Sequence, residues 1–72
     1  MNDYLEFEIM RSANAGQPYY FRIKAKPNGR VLAHSETYVN KSDCIAAVKR
    51  IKSHAATAAI WDMSVKPLAL VS

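Results

Sequence analysis

Seventy-two residues make one domain, and a chain this short buries only about 60% of its unfolded surface, which leaves a lone copy marginal. Half of the residues are hydrophobic and 22% are charged, with two Gly and three Pro, so disorder, collagen-like repeats and a disulfide scaffold are excluded. The net charge is +4 and uneven: residues 1–36 carry five basic and four acidic groups, residues 37–72 five and two.

In chain order, Leu5-Glu6-Phe7-Glu8-Ile9 alternates apolar and charged residues. That is the period of a strand with one buried face, and it points Leu5, Phe7 and Ile9 inward. Ser12 to Gly16 is a turn-forming stretch, and Pro18 fixes the entry to a second strand. This strand, Tyr19 to Lys26, sets Tyr19, Phe21, Ile23 and Ala25 on one face and Tyr20, Arg22, Lys24 and Lys26 on the other. Two alternating strands across a short loop predict an antiparallel hairpin. Pro27-Asn28-Gly29 is a turn signal, since Asn-Gly tolerates the positive φ of tight hairpins. The third strand, Arg30 to His34, alternates weakly and leaves open whether Val31 or Leu32 faces the core.

From Asn40 the period becomes helical. Asn40 or Ser42 can cap the helix, and Asp43 suits its first turn. Cys44, Ala47, Val48, Ile51 and Ala55 form an apolar stripe, while Lys49 and Arg50 face away and Lys52 flanks it. The helix is expected to fade near Ala56-Thr57, followed by a last strand over Ala59-Ile60-Trp61-Asp62-Met63. The domain spans 1–72, with a core over about residues 4–65 and a tail over 66–72. The order β-β-β-α-β makes the fold α+β: an antiparallel sheet with one helix on one face.

Residues that could carry chemistry do not assemble from the sequence. Cys44 sits on the apolar stripe, where a small thiol is packing. His54, ten residues later on the same helix, lies about 15 Å away along the axis. His34 and Ser35 are strand neighbours and point to opposite faces. The two His and one Cys have no metal-ligand spacing, and Gly16 and Gly29 stand too far apart for a phosphate loop. Neither an enzymatic activity nor a cofactor is expected. Two basic surfaces invite a nucleic-acid or other polyanion reading: Tyr20, Arg22, Lys24 and Lys26 on the sheet, and Lys49, Arg50 and Lys52 on the helix. The plainer reading of both is a solvated face. The N-terminal residues show neither a basic n-region nor an apolar h-region, and no apolar run is long enough for a membrane span. With one free cysteine, this predicts a cytoplasmic protein with no membrane partner.

The run from Asn28 to Cys44, with Asn28-Gly29, a short apolar strand, then Ser35-Glu36, Tyr38, Lys41 and Cys44, resembles the signature of the YegP-like (DUF1508) family. Phe7-Glu8-Ile9 and Phe21 to Ala25 resemble the family's first two strands, so the likeness covers about residues 7–64. The chain departs from the family at Ala47 and Val48, where Gly then Ile is usual, at His54, and at an extra Pro27. The resemblance implies β-β-β-α-β units that occur in tandem or singly and exchange their C-terminal strands within one continuous sheet. For a single unit it implies a homodimer with the strand holding Ile60, Trp61 and Met63 exchanged. It implies no established activity. The polar cluster Ser35, Glu36, Tyr38 and Lys41 is the one place where an enzyme would gather its groups. The plainer reading is that Ser35 and Glu36 shape the turn by hydrogen bonds, Tyr38 packs, and Lys41 neutralises Glu36. A homodimer also answers the problem of size: a strand carrying Ile60 and Trp61 needs a sheet edge, and an unpaired edge is a liability.

Overall fold

The computed structural model describes residues 3–67 and 69–71. It has strands β1 (Tyr4–Arg11), β2 (Tyr19–Lys26) and β3 (Arg30–His34), helix α1 (Lys41–His54), a 3-10 turn over Ala55–Thr57, and strands β4 (Trp61–Asp62) and β5 (Ala69–Leu70). The fold is α+β. β1, β2 and β3 form an antiparallel sheet in that order, and β4 pairs with β5 in a second sheet.

Alternation sets the register. Ile9 faces Phe21, Phe7 faces Ile23 and Leu5 faces Ala25, so apolar side chains from both strands share one face of the sheet. α1 lies across that face, against β1 and β2 and not β3. The core is small: Phe21, Cys44 and Val48 are buried, with Phe7, Ile9, Tyr19, Ile23, Tyr38, Ala47 and Ile51 packed around them. Phe7 and Phe21 meet at a tilt, with ring centroids 6.2 Å apart. Two members of the expected inward set lie outside this core. Leu5 is 58% exposed because α1 does not reach over it, and Ala55 is exposed because the helix tightens into the 3-10 turn there.

The connections follow local hydrogen bonding. In the first loop, Asn14 Oδ1 accepts the N–H groups of Gly16 (3.0 Å) and Gln17 (3.3 Å). The second turn differs from a two-residue Asn-Gly hairpin. Only Gly29 has positive φ, at 76°. The Gly29 N–H reaches back to Ala25 O at 2.8 Å, while Asn28 Oδ1 accepts from Arg30 N–H at 3.0 Å. Asn28 therefore acts through its side chain and not through a left-handed backbone. The weak alternation of β3 also has a cause: the register slips between Ile23 and Lys24, leaving Leu32 as the extra residue of a β-bulge. Both Val31 and Leu32 end up exposed. Asn40 occupies the cap position of α1 without a side-chain cap; its Nδ2 donates to Asp43 Oδ2 at 3.3 Å.

The C-terminal part departs most from expectation. The strand foreseen over Ala59–Met63 contracts to Trp61–Asp62, and its partner is the tail: Trp61 faces Leu70 and Asp62 faces Ala69. The segment over 66–72, expected as a bare tail, holds β5; its Leu68 lies outside the described residues. β4 and β5 touch each other and no other element. They form an arm that leaves the body after Ala58. Its reach appears in the radius of gyration, 14.8 Å against about 11 Å for a compact chain of this length.

Candidate functional site

The outer sheet face is a mosaic and not a basic strip. Tyr20, Arg22, Lys24 and Lys26 do share it, but β1 sets Glu8 opposite Arg22 and Glu6 opposite Lys24. Arg22 Nε donates to Glu8 Oε1 at 2.6 Å, and Lys24 Nζ lies 3.7 Å from Glu8 Oε2. The hydrogen bond from Arg22 first, then its charge and that of Lys24, holds the Glu8 carboxyl below its usual range despite some desolvation. Tyr20 meets the His34 ring edge-on at 6.1 Å, an aromatic contact the sequence did not reveal because β3 pairing was needed to place it. Lys49, Arg50 and Lys52 are exposed on α1, as a solvated helix face requires.

The signature residues Ser35, Glu36, Tyr38 and Lys41 build a junction. Ser35 prolongs the β2–β3 pairing: its N–H donates to Phe21 O at 2.9 Å, and its Oγ accepts from Phe21 N–H at 2.9 Å while donating to Glu36 O at 2.6 Å. Tyr38 bonds to Tyr19 through both backbone groups, at 2.6 and 3.2 Å, and its ring packs against the core. Burial, and then the charge of Glu36, push the Tyr38 phenol up. Lys41 does not neutralise Glu36; among the described residues the ion pairs are those of Glu8 alone. Lys41 instead borders a hollow with Ile9, Met10, Arg11 and Tyr19, because it opens α1 and that end of the helix sits over the Arg11–Tyr19 pair. Arg11 lies 5.6 Å over the Tyr19 ring.

Cys44 is fully buried, and burial pushes its thiol up, away from the thiolate a nucleophile needs. Among the described residues no three His, Cys, Asp or Glu side chains gather as a metal site would require. An open groove of about 620 Å³ is lined by Arg50, Ile51, His54, Ala55 and Ala58 where α1 ends and the arm begins. Most of the uncovered apolar surface lies beyond it: Ile60, Trp61, Met63, Val65, Leu70 and Val71 are all exposed, Trp61 at 54% and Met63 at 69%. The sequence pointed to Ile60, Trp61 and Met63 and missed Leu70 and Val71, whose only signal is a short apolar run after Pro67. Asp62 keeps its charge within the arm, because the Ser64 hydroxyl and N–H donate to its Oδ1 and lower its pKa.

No helix among the described residues is long and apolar enough to cross a membrane. The family model described as Domain of unknown function (DUF1508) matches residues 13–62, more than half of the chain. No curated protein and no solved structure shows significant similarity.

Proposed function

The chain belongs to the DUF1508 family, and we propose that it works as a small non-catalytic binding or structural module, a cytoplasmic homodimer whose last strands are exchanged. The observation that carries this reading is the arm. Trp61 and Met63 are exposed on a segment whose two strands pack on each other and on no other described element. The chain exposes 5825 Å², against about 4,500 Å² for a compact protein of 8.1 kDa. The excess is larger than the roughly 800 Å² that each partner contributes to an ordinary interface. Placing the arm on a second copy removes apolar surface that is costly to leave wet.

The non-catalytic part rests on where the reactive groups are: Cys44 is sealed in the core, and Ser35 has its hydroxyl engaged by Phe21 and Glu36. A nucleic-acid role through Tyr20, Arg22, Lys24 and Lys26, or through Lys49, Arg50 and Lys52, comes second, because Glu8 already engages two of the sheet cations. Sedimentation at micromolar concentration tests the first reading. The expected mass is twice the 8.1 kDa of the chain, and a folded monomer would overturn it. Retention on heparin or single-stranded DNA that falls steeply with salt would promote the second.

A further inference from the structure

We propose that the free edge of β1 is the seat of a second copy's arm, with β4 of that copy adding as the next strand. This rests on the dimer reading and goes beyond it by naming the receiving edge. Among the described residues the three-stranded sheet has two open edges, β1 and β3. β3 is five residues long and broken by the Leu32 bulge, a device that spoils an edge for pairing. β1 runs eight residues without bulge or proline. α1 packs on β1 and β2 and leaves β3 bare. A strand added at β1 therefore brings the helix toward the middle of the widened sheet, in the order β5, β4, β1, β2 and β3, whereas one added at β3 leaves it over one side.

The hydrogen-bonding parity agrees. Ser12 N–H donates to Pro18 O at 2.7 Å, in the same register as β1–β2. Antiparallel pairs alternate, so Met10, Glu8, Glu6 and Tyr4 turn their backbone groups toward β2. Those of Leu5, Phe7, Ile9 and Arg11 point out of the sheet. In the arm, Val71 N–H donates to Ile60 O at 2.7 Å, and by the same rule the backbone groups of Trp61 point away from β5. Each side thus presents unpaired donors and acceptors to the other. Leu5, exposed on the face that α1 lines, gains apolar neighbours in the process.

Proline at an edge position removes one outward N–H while leaving the inner ladder intact. Leu5→Pro tests β1. Val31→Pro is its counterpart on β3, since Val31 faces Lys24, whose backbone groups belong to β1. The dimer dissociation constant should rise about ten-fold or more in Leu5→Pro, because two-fold symmetry deletes the bond twice, and stay within about two-fold in Val31→Pro. The opposite pattern, or neither variant weakening a wild-type dimer, overturns the choice of edge and leaves the dimer standing. A wild-type monomer overturns the dimer itself. Should both variants weaken it, spin labels decide: one at Met63→Cys on one copy, the other at Glu6→Cys or Arg30→Cys on its partner, all in Cys44→Ser chains. The Glu6 label should lie nearer by about two strand spacings, about 10 Å; a nearer Arg30 label rejects β1.

Discussion

A core with three buried side chains among the described residues makes single residues count. Phe21 touches both layers, so Phe21→Ala is expected to cost about 3–5 kcal/mol, enough to unfold most of the population in mild urea. Cys44 should resist alkylation at neutral pH until the chain unfolds, because its thiol is fully buried and pushed up; rapid labelling of the folded protein would contradict that placement. Glu8 gives an acid-side signature. Its native pKa lies below the ordinary 4.5, so its contribution is in place above that value and disappears as pH falls through the lowered native value. Glu8→Gln should flatten the loss of stability in that window and change little at pH 7, as surface pairs do. Acid titrations followed by circular dichroism compare the two. Residue roles of this kind were only half legible beforehand. The thiol on an apolar stripe was readable from spacing, but the partner of Arg22 was not, since it depends on which strand lies alongside.

Among the elements, those governed by local rules matched the sequence closely. β2 and β3 fall on the expected residues, and α1 ends within a turn of the expected place, because period-two and period-3.6 patterns are local. The last strand did not, because two paired residues at β4 depend on what lies beside them and not on their own pattern. The junction after β3 shows the same limit. Ser35 was expected to shape a turn, and it does so by substituting its hydroxyl for a backbone acceptor. Ser35→Ala should leave the Phe21 N–H without that partner and cost about 1–3 kcal/mol by chemical denaturation, more than an exposed serine would. Gly29 holds φ at 76°, so Gly29→Ala should destabilise the β2–β3 turn by about 1 kcal/mol, read as a lowered denaturation midpoint.

The whole molecule is an extended body and arm, and its dimensions, 42 × 35 × 20 Å, leave much apolar surface wet. Trp61→Ser should therefore weaken self-association while sparing the secondary structure of the body, because β4 and β5 pack on no other described element. Sedimentation and far-ultraviolet circular dichroism on one sample separate the two effects. This scale was the least legible from sequence. Size and the absence of a disulfide argued for a partner, yet nothing in the residues disclosed that the tail would fold onto the last strand.

The Leu32 bulge bears on how far the proposed dimer could grow. A sheet with two good edges is a repeating tile, able to lengthen into a fibril as concentration rises. In the proposed dimer one spoiled edge works against such growth: with β1 occupied, the edges left are the bulged β3 and the two-residue β5, both poor seats for a third chain. Deleting Leu32 would regularise β3 and remove that stop. The shortened chain should then form thioflavin-positive filaments at concentrations where the natural one remains clear.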